Sequence, residues 1–167
     1  LTQAAFSPST TYVAYSKSIT KPGLGYNGLF VADMEGGDEI QVWPDPNTSI
    51  VTQQDLEQIG SPQKYSWSPD GTRLVFGKGF CNPKCEGITQ YVIWSRDNST
   101  YQELPVLPSA TAPVWFPDGK RLLFQVIDEL NRIQFYTIDL ATNDLALIPG
   151  QLALNEAEQL WVAAIVP

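Results

Sequence analysis

One motif dominates this chain, Ser66-Trp-Ser-Pro-Asp-Gly-Thr-Arg-Leu-Val-Phe76, because two similar copies accompany it. The copy that precedes it is Ala5-Phe-Ser-Pro-Ser-Thr-Thr-Tyr-Val-Ala-Tyr15, and the copy that follows is Val114-Trp-Phe-Pro-Asp-Gly-Lys-Arg-Leu-Leu-Phe124. In each copy an aromatic residue lies two positions before the proline, and another lies seven positions after it. Such self-similarity is the first feature to establish in a sequence, since a repeat determines the architecture.

Each copy predicts a β-hairpin. Proline fixes φ, aspartate hydrogen-bonds to its own backbone, and glycine accepts positive φ, so the Pro-Asp-Gly sequence turns the chain between two strands. The predicted turn residues are Pro69, Asp70, Gly71, Pro117, Asp118 and Gly119. The first copy has Ser9-Thr10 in place of Asp-Gly, which predicts a looser turn there.

The recurring aromatic residues predict the positions that pack inside the repeating sheets. These candidate core residues are Phe6, Trp67, Trp115, Tyr15, Phe76 and Phe124. The strand that follows each full turn is almost continuously apolar, as in Leu74-Val75-Phe76, which is typical of a strand covered on both faces. Sheets stacked face to face would cover it in this way.

A second pair of strands follows each hairpin. Leu29–Asp33, Tyr91–Trp94 and Phe135–Asp139 each lead to turn residues and then to a further short stretch. Each unit therefore has four antiparallel strands. Trp67 and Trp115 are 48 residues apart, a spacing typical of a propeller blade. The sequence predicts an all-β fold of about three four-stranded antiparallel blades plus one terminal strand.

The predicted boundaries treat residues 1–167 as a single propeller segment. Blade 1 covers about residues 3–43, blade 2 about 64–105, blade 3 about 112–148, and the terminal strand about 160–166. Three blades do not close a ring, which typically has about four to eight. Three explanations stay open: a piece of a longer propeller, a ring completed by the same or another chain, or a small monomer.

The repeat has a known relative. The Trp-Ser-Pro-Asp-Gly-x-x-Leu-Val-Phe hairpin, followed by Phe135-Tyr-Thr-Ile-Asp139, resembles the TolB-type, WD-repeat-like β-propeller repeat over about residues 3–148. Bacterial envelope proteins and the propeller domains of many peptidases contain this blade. Three blades imply a partial or oligomer-completed propeller, in which further blades, a protein partner or a second copy of the chain cover the open end blades.

Composition excludes several classes of function. The chain has no histidine, and ten Lys+Arg against eighteen Asp+Glu give a net charge of −8. Histidine-based catalysis and histidine-ligated metals are thus excluded within this chain, and so much acid disfavours nucleic-acid binding. No apolar run is long enough to span a membrane. We expect no catalytic residues, no cofactor and no metal, with Asp33 and Asp139 bonded to the turns that follow them.

The two cysteines, Cys81 and Cys85, lie in a stretch rich in turn residues. The favoured interpretation is a small disulfide that closes the loop, with free thiols or a redox pair as alternatives. A structural disulfide would indicate an oxidising compartment. Residues 18–25 and 80–88 are both expected to be loops between the second and third strands of a blade, on one rim, where repeat proteins often bind partners.

The function that these features favour is a non-catalytic, extracytoplasmic scaffold for protein–protein interaction: periplasmic, on the cell surface or secreted. One alternative is the gating propeller of a larger prolyl oligopeptidase-type hydrolase, with the catalytic residues outside this chain. Another is a glycan-binding propeller that uses Trp43 or Trp94, although core packing is the favoured explanation of these residues. No nucleic acid and no membrane insertion are expected.

Overall fold

The structure is a computed structural model that describes residues 4–35, 37–50, 52–79, 90–107, 110–111, 113–128, 130 and 132–153. The first sheet contains β1 (Ala4–Phe6), β2 (Tyr12–Lys21), β3 (Leu24–Asp33) and β4 (Glu39–Trp43). After helix α1 (Gln53–Ile59), the second contains β5 (Ser61–Trp67), β6 (Arg73–Gly79), β7 (Gln90–Ser95) and β8 (Thr100–Glu103). The third contains β9 (Val114–Trp115), β10 (Arg121–Ile127), β11 (Arg132–Asp139) and β12 (Leu145–Ala153).

In each sheet the four strands follow one another in chain order and pair antiparallel. The prediction of three four-stranded antiparallel blades is confirmed, and the sheets are called blades 1, 2 and 3 below. The predicted terminal strand, residues 160–166, lies outside the described residues. Cys81 and Cys85 do so as well, and so does the predicted loop over residues 80–88.

Residues 18–25 were expected to form a loop, and this prediction is wrong. β2 and β3 stay paired from Tyr12 opposite Asp33 to Lys21 opposite Leu24, so the segment is the far end of a long hairpin. The physical reason is that Ile19 and Thr20 are β-branched and suit a strand, while Gly23 turns the chain at a φ of 75°.

The long connection between blades 1 and 2 contains helix α1. The Thr52 hydroxyl accepts a hydrogen bond from the Asp55 backbone nitrogen at 3.1 Å, and the Asp55 carboxylate accepts one from the Thr52 backbone nitrogen at 2.8 Å. This reciprocal pair is a capping box, which satisfies two backbone donors that a helix start leaves unpaired. The cap gives a helix of only seven residues a defined beginning.

The three hairpin turns share one geometry, so the looser turn expected in blade 1 is not found. The third turn residue donates its backbone N–H to the carbonyl three positions earlier in every copy: Thr10 to Ser7 at 2.8 Å, Gly71 to Ser68 at 2.9 Å and Gly119 to Phe116 at 2.9 Å. The φ angles are 56°, 68° and 66°. Thr10 therefore adopts the left-handed conformation that glycine adopts in the other two copies.

Replacing Thr10 with glycine is expected to stabilise the fold by about 1 kcal/mol or less. Relief of the left-handed conformation contributes about 1–2 kcal/mol, and the greater freedom of glycine in the unfolded chain offsets about half of that. Urea unfolding of the wild type and the variant measures the difference. The matched control is Thr11→Gly, because Thr11 does not have a positive φ. Glycine there only increases the conformational freedom of the unfolded chain, so the free energy of unfolding should fall. Equal losses in both variants would contradict the prediction.

The core consists of two apolar layers, one between each pair of neighbouring blades. The layer between blades 1 and 2 contains Ala14, Leu29, Val31, Val42, Tyr65, Trp67, Leu74, Phe76, Val92 and Trp94. The layer between blades 2 and 3 contains Val75, Tyr91, Ile93, Leu104, Leu107, Ala110, Trp115, Leu122, Phe124, Ile138 and Leu140. Blade 2 thus buries both of its faces, which explains the continuous apolar run of β6.

The predicted core residues divide according to their position in the stack. Trp67, Trp115, Phe76 and Phe124 are buried, as predicted. Phe6 does not follow the prediction, since its side chain is 57% exposed. The equivalent aromatic residues of blades 2 and 3 pack against the preceding blade, and the described chain has no blade before blade 1. Tyr15, on the same face as Phe6, is half-buried.

Candidate functional site

A cleft of about 340 Å³ lies at one rim of the blades, between the far end of the β2–β3 hairpin and helix α1. We call it the rim cleft. Its lining residues are Ser18, Ile19, Thr20, Gly25, Tyr26, Asn27, Pro44, Gln53, Leu56, Glu57, Gly60, Ser61 and Gly79. Both walls come from segments that extend the four-stranded repeat, so the cleft is an addition to the blade architecture.

The hairpin wall is held by contacts between side chains on neighbouring strands. The Ser18 hydroxyl donates to the Asn27 side-chain oxygen at 2.9 Å, and the two residues are paired across β2 and β3. Beyond them the Lys21 ammonium lies 5.8 Å from the centre of the Tyr26 ring. These pairs order polar and aromatic groups along the cleft edge.

The helix wall is fixed where α1 ends. Gly60 has a φ of 74°, and a Cβ atom at this position would lie 3.0 Å from the backbone oxygen of Gly79. A larger residue would therefore meet both backbone strain and a clash with β6. The Gly60 carbonyl accepts a hydrogen bond from the Trp43 indole at 3.0 Å, which ties the end of the helix to blade 1.

The rim cleft presents groups that can form hydrogen bonds to a ligand. Its side chains are mostly neutral hydrogen-bonding groups, with Tyr26 as the aromatic group and Glu57 as the acidic one. Among the described residues, no group of three or more His, Cys, Asp or Glu could hold a metal ion.

A second surface feature is the outward face of blade 1. By register, Phe6, Val13, Tyr15, Phe30 and Ala32 share this side of the sheet, which we call the open face of blade 1. The Tyr15 and Phe30 rings stack with their centres 6.1 Å apart. The Lys17 ammonium lies 4.4 Å from the Phe30 ring centre and pairs with Glu39, so charged groups border the apolar patch.

Comparison with known proteins finds matches among solved structures. TolB from Acinetobacter baumannii superposes with a TM-score of 0.55 at 17% identity, over 84% of this chain and 31% of that one. The β-propeller domain of the Trilobed protease from Pyrococcus furiosus superposes with a TM-score of 0.58 at 13% identity, over 91% of this chain and 41% of that one. Acylaminoacyl peptidase from Pyrococcus horikoshii superposes with a TM-score of 0.58 at 13% identity, over 91% of this chain and 24% of that one. The chain is a partial β-propeller.

No family model and no curated protein sequence matches the chain. The partial propeller spans less than half the length of the three solved structures just named. At these identities the likeness concerns the fold, because propellers support unrelated functions. In the described residues, no helix has the length and apolar character needed to cross a membrane.

The predicted turn aspartates accept hydrogen bonds from the backbone of their own turns. The Asp70 carboxylate accepts hydrogen bonds from the Thr72 backbone nitrogen at 3.0 Å and from its hydroxyl at 2.9 Å. Asp118 accepts from the Lys120 backbone nitrogen at 2.9 Å and pairs with Arg121 at 3.0 Å. These hydrogen bonds hold the pKa of both carboxyl groups below the ordinary value, although burial opposes the shift and is the largest single influence at Asp70.

The other acidic and aromatic candidates are also structural. Asp33 accepts from the Glu35 backbone nitrogen at 2.8 Å, and Asp139 accepts from that of Ala141 at 2.9 Å, which confirms the expected turn contacts. Trp94 is buried between blades 1 and 2. Trp43 is half-buried and packs against Phe76, with ring centres 5.4 Å apart. Neither indole provides an open platform for a sugar.

The rim cleft was only partly predictable. The segment 18–25 was identified as a candidate binding element, but α1 was not. The signal that could have revealed α1 is Thr52 followed three residues later by Asp55, a capping-box pattern that opens the helix. The cleft itself depends on how Gly60 approaches Gly79, a contact between distant parts of the blade that no local pattern contains.

Tyr15 is expected to ionise near pH 12. Partial burial, a hydrogen bond to Glu39 and the charge of that carboxylate together raise the pKa of Tyr15 from 10.0 to about 12. Because the pKa of Tyr15 is higher in the folded state than in the unfolded state, the protonated phenol stabilises the fold. This contribution to the free energy of unfolding is complete below pH 10 and is lost as pH rises through about 12. Ultraviolet absorbance of tyrosinate follows the titration. Glu39→Gln should shift one tyrosine toward lower pH.

The control for this titration is Glu103→Gln. Glu103 pairs with Lys78 at 2.8 Å and accepts a hydrogen bond from Gln90 at 3.1 Å, so its removal deletes a surface carboxylate without touching Tyr15. An absorbance titration that shifts equally in both variants would contradict the assignment to the Tyr15–Glu39 contact.

Proposed function

We propose that this partial propeller is a non-catalytic, extracytoplasmic scaffold that binds another protein at the rim cleft. The observation that carries the proposal is the cleft itself, whose two walls are the extended hairpin and α1. Side-chain amides and hydroxyls at Ser18, Thr20, Asn27 and Gln53 offer donors and acceptors to a peptide backbone, with Tyr26 as an apolar contact. Loops and extensions on one rim of a repeat protein commonly form its binding surface.

Affinity capture with matched variants tests the rim cleft. Gln53→Arg places a long charged side chain in the cleft, whereas Gln54→Arg places the same group on the same helix outside the lining. From an extract of the source cells, the wild type and Gln54→Arg are expected to retain the same protein, and Gln53→Arg to lose it. Identical proteins on all three baits would contradict binding at the cleft.

We further propose that a protein covers the open face of blade 1: further propeller blades, a second copy of this chain or another chain. Phe6, 57% exposed, occupies the position of Trp67 and Trp115, both of which pack on a preceding blade. Light scattering of the purified chain measures the native mass. A mass above 18.5 kDa that falls with Phe6→Lys but not with Met34→Lys supports self-assembly. A mass of 18.5 kDa at all concentrations excludes the second copy.

The extracytoplasmic location rests on the predicted disulfide. An oxidised pair of Cys81 and Cys85 would be stable in an oxidising compartment and rare in the cytosol. Intact-mass spectrometry after alkylation of the unfolded, unreduced protein measures the free thiols. We expect no added label before reduction and two labels after it. Two labels before reduction would contradict this part of the proposal.

A second candidate function is the gating propeller of a prolyl oligopeptidase-type hydrolase. The likeness to the propeller domain of the Trilobed protease favours it as an alternative to a free scaffold. The full reading frame of the parent gene distinguishes the two. An α/β-hydrolase region with its own serine, aspartate and histidine supports the gating function, and a frame that lacks such a region contradicts it.

A further inference from the structure

The far end of the β2–β3 hairpin leaves part of β3 without a strand on its outer side. β2 pairs with β3 along the whole length of β3, from Leu24 to Asp33. In the described part of the chain, β4 pairs with β3 only from Leu29 to Ala32. Within that part of the chain, residues 24–28 therefore have a neighbouring strand on one side and none on the other. We call this stretch the free edge of β3.

The free edge belongs to blade 1 and not to the repeat. In blade 3, β12 accompanies β11 to its first residue, Arg132, which lies opposite Ala153. In blade 2, the contact between β7 and the outer strand continues past Glu103, because the Leu104 N–H donates to the Tyr91 carbonyl at 2.9 Å. The outer strands of blades 2 and 3 thus follow the third strand almost to its start, whereas β4 does not.

Pro44 ends the pairing of β4 with β3. It directly follows Trp43, which lies opposite Leu29, and proline has no N–H to donate to a neighbouring strand. The Pro44 carbonyl accepts a hydrogen bond from the side-chain amide of Gln41 at 2.7 Å. The Trp43 indole donates to the Gly60 carbonyl, which holds this end of β4 at the end of α1. β4 therefore leaves β3 at the point where the free edge begins.

The free edge borders the rim cleft. Pro44 lines that cleft together with Gly25, Tyr26 and Asn27 of β3. In an antiparallel pair, successive residues direct their backbone groups alternately toward the partner strand and away from it, so about two or three residues of the free edge point away from β2. A strand edge of this kind is a template on which another extended chain can pair.

We propose that the protein bound at the rim cleft adds an extended segment to the free edge of β3, antiparallel to β3 and in the place that β4 leaves. This inference rests on the proposed function, because it states how the partner occupies the cleft. Hydrogen bonds between the two backbones hold such a segment, and its alternate side chains select the sequence. Leu56 in the cleft offers an apolar contact and Glu57 a carboxylate. With a net charge of −8 on the chain, apolar and basic side chains are expected in the segment.

Peptides are the probe, because the partner is unidentified. Short random peptides displayed on phage are selected on the wild type and depleted on Gln53→Arg, so that those bound in the rim cleft remain. Each backbone nitrogen of a selected peptide is then methylated in turn. We expect methylation at every second position of the paired stretch to weaken binding by about tenfold or more, because it removes a donor to β3. Methylation without an alternating effect overturns strand addition.

Hydrogen exchange followed by NMR locates the added strand. In the free chain, amides of residues 24–28 that point toward β2 should exchange slowly, and those that point to the free edge should exchange fast. The selected peptide is expected to slow the fast amides by about tenfold or more. Protection of β4 in their place overturns the location. Slow exchange at the free edge without peptide overturns the proposal as well, whether at all concentrations or only as a second copy associates.

Strand addition and binding at the cleft fail in different ways. If no selected peptide depends on Gln53, strand addition is overturned. Capture of one protein by the wild type and Gln54→Arg, and not by Gln53→Arg, would still support a partner that enters the cleft with a folded surface. Identical proteins on all three baits would contradict the cleft as the binding site, and strand addition with it.

Discussion

Replacing Trp67 with alanine should lower the free energy of unfolding by about 3–5 kcal/mol, typical of removing a large buried aromatic side chain. Trp67 is 7% exposed in the layer between blades 1 and 2, and its ring lies 6.4 Å from that of Tyr12. Its indole also donates to the Ala5 carbonyl across the interface. Domains are stable by about 5–15 kcal/mol, so this loss would separate blade 1 from the stack or unfold the chain.

Trp67→Phe separates packing from hydrogen bonding. It keeps most of the apolar contact and removes the donor to Ala5, which is expected to cost about 1 kcal/mol for the hydrogen bond and somewhat more for the lost volume. Urea unfolding followed by circular dichroism measures both variants. A loss below about 1 kcal/mol for Trp67→Ala would show that blades 1 and 2 do not form the apolar layer described above.

Phe124→Ala is expected to have a similar effect on the other layer, again about 3–5 kcal/mol. Phe124 is fully buried between blades 2 and 3, with its ring centre 4.8 Å from that of Tyr91. The Tyr91 hydroxyl donates to the Ala110 carbonyl at 3.2 Å, and burial raises the pKa of this phenol. The cavity would therefore open beside a buried hydrogen bond as well as beside apolar groups.

The matched control for Phe124→Ala is Leu130→Ala. Leu130 is 70% exposed in the same blade, so its truncation removes apolar atoms that contact water, and stability should change by less than about 0.5 kcal/mol. Urea unfolding of both variants measures the contrast. Equal losses would contradict the assignment of Phe124 to a layer between two blades.

The elements that could be predicted from sequence are those whose cause is local. Pro69, Asp70 and Gly71 contain the chemistry of their own turn, and the apolar run of β6 follows from burial on both faces. The left-handed conformation of Thr10 was missed because threonine rarely adopts it. The backbone hydrogen bond from Thr10 to Ser7 closes this turn, and glycine residues donate the equivalent bonds in the other two turns.

The features that sequence reasoning missed depend on distant partners. Phe6 has the residue type of a core position, but its burial requires a neighbour that the described chain does not provide. The strand character of residues 18–25 comes from pairing that continues beyond the blade, and a repeat of fixed length does not reveal it. The rim cleft arises only when α1 and the hairpin face each other, with Gly60 close to Gly79.

The direction of the indole contacts has a consequence for synthesis on the ribosome. The acceptor carbonyl at Ala5 leaves the ribosome about sixty residues before the indole of Trp67, and Ser66 precedes Trp115 by 49 residues. Blades 2 and 3 are therefore each synthesised after the blade whose carbonyl accepts their indole N–H. The blades can therefore pack one after another in the order of synthesis, since domains of nascent chains fold in the order in which they are made.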